Sequence, residues 1–177
     1  MTAACLQTSV VPAQQTGRPY PEIKNYNWKR RLFCDTGGTG TDCHTPAQRS
    51  YNMSQVKGKN TKPEIIVRQI LYHHGYRYRL YAGDLPGKPD IVFRRLKKVI
   101  FIHGCFWHRH DCPKFVWPKS NADFWREKIE KNVRRDRENY RKLTESGWKF
   151  LILWECEIKN MSEEELLQEL ERFLKDI

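Results

Sequence analysis

Missing from this 177-residue chain is any apolar run close to the roughly 18 residues that would span a bilayer. The N-terminal stretch MTAACLQTSVVPAQQTGRPYPEI has no basic segment followed by an apolar one, so secretion is not expected. No internal repeat or sustained heptad is visible. These absences exclude a membrane span, a collagen-like or coiled-coil fibre, and a secreted disulfide mini-protein. Acid is also scarce: 21 Asp and Glu stand against 32 Lys and Arg, a net charge of +11. The apolar fraction of 39% is enough for one modest core.

The excess charge is unevenly placed. Residues 1–52 carry six basic and three acidic side chains, and residues 162–177 carry two and six. Residues 53–161 therefore hold 24 basic and 12 acidic groups, among most of the aromatic residues. A basic, aromatic-rich body suits a polyanion, most simply nucleic acid, although such surfaces are also often only solubilising.

Organisation changes near residue 52. The first segment contains Pro12, Pro19, Pro21, Pro46 and the Gly/Thr stretch at 36–41, with no apolar period. It reads as a disordered extension over 1–52, followed by one domain over 53–177. From Thr61 the pattern is regular. Thr61-Lys62-Pro63-Glu64 is a capping box with proline in the first turn, and Ile66, Val67, Ile70 and Leu71 recur at helical spacing up to Gly75. Strands are expected over 76–81, 88–93 and 99–102, with a basic hairpin turn at 94–98. Asn121 should cap a long helix ending at Gly147, with Trp125, Ile129, Val133, Tyr140 and Leu143 inward. A strand over 148–154 and a last helix capped by Ser162 follow. The order predicts an α/β fold, a mixed β-sheet flanked by helices.

Cys105-Phe106-Trp107-His108-Arg109-His110-Asp111-Cys112 packs two cysteines and two histidines into eight residues, and Cys156 lies at the end of a later apolar strand. With reduced thiols such a cluster reads as zinc rather than disulfide. Cys105, His110, Cys112 and Cys156 complete a four-ligand set, which leaves no open position and makes the zinc structural. Cys156 could equally be a small buried strand residue. Cys34 and Cys43-His44 lack a fourth ligand, and Cys5 has no readable role.

Asp90 follows Pro89 at a strand start, either a simple turn or a carboxylate placed for magnesium, which takes oxygen ligands. His103 and His108 are left over from the zinc set and titrate near neutrality, as proton carriers at a phosphate should.

Gly87-Lys88-Pro89-Asp90, the block from Val99 to His108, His110, Cys112, Phe124-Trp125-Arg126-Glu127-Lys128 and Gly147-Trp148 through Cys156 resemble the very-short-patch repair (Vsr) DNA mismatch endonucleases. Asn52-Met53-Ser54 and Thr61 to Glu64 resemble that family's entry segment, so the likeness spans about 52–160.

The resemblance implies a restriction-endonuclease-like core and a magnesium-dependent, strand-specific nick beside the T of a T:G mismatch left by deamination of 5-methylcytosine. It implies that Asp90 holds the metal, with the backbone carbonyl of Ile102. It further implies that His103, His108 and Glu64 assist hydrolysis, that Cys105, His110, Cys112 and Cys156 hold zinc, and that Phe106, Trp107 and Trp125 intercalate. Trp125 also fits a core position. The implied setting is bacterial cytoplasm and nucleoid, acting as a monomer, with mismatch-repair proteins as partners. Ile102 stands where the family commonly has a small polar residue, and Arg109 where it can carry another histidine. The competing readings are a restriction-type enzyme of the same fold that cuts paired DNA, and a non-catalytic zinc-stabilised DNA-binding module.

Overall fold

The computed structural model describes residues 45–176. The expectations for 1–44, including those on Cys5, Cys34, Cys43 and His44, lie outside the described residues.

The chain runs α1 (Pro46–Ser54), α2 (Lys62–His73), β1 (Arg79–Leu80), β2 (Ile91–Phe93), a 3-10 turn at Arg94–Leu96, β3 (Lys98–His103), α3 (Ala122–Glu145), β4 (Lys149–Trp154), α4 (Glu155–Asn160) and α5 (Glu163–Lys175). The strands form one sheet in the order β1-β2-β3-β4. The first two pairings are antiparallel, and β3 runs parallel to β4 through the α3 crossover.

Strand alternation sorts the core into two layers. Ile91, Phe93, Ile100 and Leu153 pack with Val67, Ile70 and Leu71 of α2, Ile158 of α4, and Leu166, Leu170 and Leu174 of α5. Val92, Val99 and Phe101 turn the other way, onto Leu143 of α3, with Tyr140, Phe150 and Ile152 around them. β3 is thus buried on both faces, which is why it reads as an unbroken apolar run. The expected mixed sheet flanked by helices is the observed architecture.

Local chemistry explains the boundaries. Glu64 Oε1 accepts from the Thr61 hydroxyl at 2.8 Å and backbone N–H at 3.3 Å, closing the box that starts α2. Ser162 and Glu165 do the same for α5. Gly147, at φ +73°, ends the segment after α3, a backbone shape that favours glycine.

α1 spans residues 52 and 53, and its N-terminus is capped by Thr45 and Gln48. Three expectations need correction. The strand expected over 76–81 shrinks to two residues, because Tyr76 and Tyr78 turn their rings onto Phe93 and Tyr81 takes φ +49°. The strand expected from 88 begins at Ile91, since Lys88 sits at φ +51° and Pro89 has no N–H to give a ladder. Cys156 lies in the first turn of α4 rather than on a strand.

Candidate active site and metal cluster

The end of β3 gathers the candidate catalytic residues. Asp90, just before β2, accepts the backbone N–H of Ile102 on Oδ2 at 2.8 Å, so the edge of one strand fixes the carboxylate of its neighbour. Burial raises the Asp90 pKa to about 6, opposed by that hydrogen bond and reinforced by the nearby Glu64 carboxylate. A half-buried carboxyl that is costly to ionise and lies near a second acid is a place where a cation would relieve the charge.

Glu64 is buried on α2 and tightly wrapped. Its Oε2 accepts from Arg68 at 2.5 Å, Tyr81 at 2.8 Å and the Asn60 N–H at 3.0 Å. Its reach toward the site is electrostatic, through Asp90.

His103 ends β3, and a tight turn at Gly104 to Arg109 brings His108 back over it. The two imidazoles stack with centroids 3.7 Å apart and planes 7° from parallel. Arg109 makes that return at φ +51°. His108 Nδ1 lies 2.6 Å from Asp136 Oδ2, and His103 Nε2 lies 2.5 Å from the Tyr140 hydroxyl. Burial, then the charge of His108, lowers the His103 pKa to about 3, so this ring is neutral at physiological pH. Burial acts to raise the Asp136 pKa, but the hydrogen bond and charge of His108 outweigh it and keep the carboxyl below its ordinary range. These groups, with Lys88 and Arg135, line a cleft of about 390 Å³.

Asp136 was not singled out from the sequence. It sits in Arg134-Arg135-Asp136-Arg137, which looks like solvated charge. The signal was its spacing: it lies three residues after Val133 and four before Tyr140, inside the inward stripe of α3.

The second cluster lies just beyond. The ligand atoms of Cys105, His110, Cys112 and Cys156 all lie within 4.8 Å of one another. Tetrahedral zinc with ligands near 2.3 Å needs ligand separations of about 3.8 Å, which this set can reach with small adjustments. His110 Nδ1 is 3.2 Å from Cys156 Sγ, and its ring stacks on Trp154 at 4.1 Å. Burial is the main cause that pushes the Cys105 thiol up to about 12, a cost that a bound cation would offset.

Phe106, Trp107 and Trp125 are brought together, with centroids 5.2, 5.4 and 6.0 Å apart. Trp125 belongs to this half-exposed group, and its helix neighbour Ile129 is the fully buried one. Asn132 donates to the Trp107 carbonyl at 3.1 Å, fastening the loop to α3. Lys128 lies over the rings of Trp107, Phe124 and Trp125.

The family model described as DNA mismatch endonuclease Vsr matches residues 41–114. The chain is 48% identical over 137 residues to the type II nicking enzyme V.NmeAIP of Neisseria meningitidis serogroup A, covering 77% of this chain and 98% of that protein. It is 47% identical over 121 residues to the type II nicking enzyme V.XorIIP of Xanthomonas oryzae pv. oryzae, covering 68% and 89%. It is 40% identical over 136 residues to the DNA mismatch endonuclease Vsr of Escherichia coli, covering 75% and 87%.

Proposed function

Since the chain belongs to the Vsr DNA mismatch endonuclease family, we propose that it nicks one strand of duplex DNA beside the T of a T:G mismatch, with magnesium. The observation that carries the reading is the Asp136–His108 pair stacked on His103, at the strand end next to Asp90.

Asp136, held as a carboxylate, can only accept a hydrogen bond. It keeps the His108 proton on Nδ1 and leaves Nε2 bare. That nitrogen takes the proton of a water as its oxygen bonds to phosphorus and the bond to the leaving sugar oxygen breaks. His103, being neutral, steadies the phosphate by hydrogen bonding. Asp90 and the Ile102 carbonyl would hold the magnesium, and because the carbonyl belongs to the backbone, the apolar side chain at 102 is no obstacle. Bound magnesium supplies positive charge against the phosphate oxygens. Glu64 acts on this site through the charge it places beside Asp90.

Cys105, His110, Cys112 and Cys156 would hold a structural zinc that stiffens the loop bearing Phe106 and Trp107. Those rings and Trp125 enter the duplex at the mismatch. Opening a base step costs a few kcal/mol, less where pairing is already faulty, and inserted rings offset the cost by stacking. A pre-ordered wedge loses less entropy on insertion. The endonuclease domain is taken to be 53–177, on a restriction-endonuclease-like core. The protein acts as a monomer in the bacterial cytoplasm, at the nucleoid, with mismatch-repair proteins as partners. No helix among the described residues is long and apolar enough to cross a membrane.

The test is cleavage of end-labelled T:G and T:A duplexes with and without magnesium, using wild type and Asp90→Ala. A single nick in the T strand of the T:G duplex, dependent on magnesium and lost in the variant, is the expected result. Undiminished cleavage by Asp90→Ala would sink the mechanism. Breaks in both strands of matched DNA would favour a restriction-type enzyme, and tight binding without product a non-catalytic module. Trp107→Ala is expected to narrow the gap between T:G and T:A rates.

A further inference from the structure

We infer that the Tyr140 hydroxyl is a positioning group for His103: it donates to Nε2, confines the ring proton to Nδ1, and so makes His103 a hydrogen-bond donor toward a bound phosphate. The inference rests on the endonuclease reading above and adds a residue to it.

The contact is close. Tyr140 Oη and His103 Nε2 are 2.5 Å apart. Either atom can donate in principle, but a phenol is a stronger acid than a neutral imidazole N–H, and an imidazole nitrogen is a stronger base than a phenol oxygen. The favoured bond is therefore O–H to nitrogen. The hydrogen bond at one imidazole nitrogen decides where the ring proton sits at the other.

Tyr140 is also held in place. Its ring stacks on Phe150 with centroids 4.7 Å apart at 17°, and meets Phe101 edge-on at 5.5 Å and 64°. It projects from α3 one turn after Asp136, so neighbouring positions on one helix face each take a nitrogen of one ring in the stacked pair. Asp136 is an acceptor and leaves His108 a bare Nε2. Tyr140 is a donor and leaves His103 a protonated Nδ1. Two like rings in face-to-face contact are thereby given opposite tasks, one to take a proton and one to offer a hydrogen bond.

The experiment combines nitrogen-15 NMR of the histidine rings with single-turnover nicking. In the wild-type protein at neutral pH, His103 should show a protonated Nδ1 and a bare Nε2. Tyr140→Phe keeps the aromatic stack and removes only the hydroxyl, and should move the proton to Nε2. Partners that orient a metal-ligating imidazole are typically worth roughly 10–100-fold, and the same scale is adopted for this ring. Tyr140→Phe should slow nicking of the T:G duplex by about that factor with DNA affinity unchanged. In a His103→Ala background it should add less than about twofold. A wild-type His103 protonated on Nε2 would overturn the inference, as would full-rate nicking by Tyr140→Phe or an equal loss in both backgrounds. A wild-type protein that nicks no T:G duplex would defeat the functional reading instead, while the NMR of the same sample still decides the tautomer.

Discussion

Asp136→Asn isolates the His108 base from everything else the site does. The substitution preserves size and shape at a side chain that is 14% exposed and packed under His108. It replaces an obligate acceptor with a group that can donate to Nδ1, and a donor there forces the His108 proton onto Nε2. The ring then faces the water with N–H instead of a lone pair. General-base catalysis contributes roughly 10²–10⁴-fold, equivalent to about 2.7–5.4 kcal/mol of barrier, and most of that should disappear. Asp136 lies outside both core layers, so folding should survive. The assay is single-turnover nicking with enzyme in excess over a T:G duplex, alongside equilibrium binding to the same duplex. The expected outcome is a fall of about two to four decades in rate with unchanged affinity. A loss below about tenfold, or a rate loss matched by an equal loss of binding, would refute the assignment of His108 as the base.

Three further outcomes follow from the same structure. Cys105→Ser should abolish stoichiometric zinc, measured by elemental analysis, and lower the melting temperature, because a structural zinc contributes to folding directly; full zinc content in this variant would contradict the four-ligand set. Leu170→Ala, at a fully buried site on α5, should cost about 2–5 kcal/mol in urea unfolding, with a smaller loss refuting the two-layer core. Lys98 is buried, and its ammonium donates to the carbonyls of Phe173, Leu174 and Asp176 at the end of α5. Lys98→Met should orphan them and cost about 1–3 kcal/mol of stability by thermal melt, with the nicking rate at low temperature retained.

Much of this architecture was written locally. The capping boxes at Thr61 and Ser162, and the apolar run of β3, each specify an element from a handful of adjacent residues. α1 has no apolar period to betray it, and its helix depends on the Thr45–Gln48 box and Pro46. α4 is six residues long, too short for periodicity to register, so Cys156 reads as the end of the preceding strand. The gathering of Cys105, His110, Cys112 and Cys156 was legible because such side chains are chemically rare. The stacking of His103 on His108 was not, because it depends on the reversal at Gly104 to Arg109, including a positive φ at an arginine. Asp136 and Tyr140 meet those rings across a gap of 28 and 37 residues, a pairing that only the packing of α3 on the sheet creates.

The β3–β4 register sets His103 opposite Trp154, whose indole meets the His103 ring at 5.6 Å and lies flat against His110. One indole is thus a party wall between the stacked imidazoles and the thiol cluster, so a displacement on either side of it is passed directly to the other.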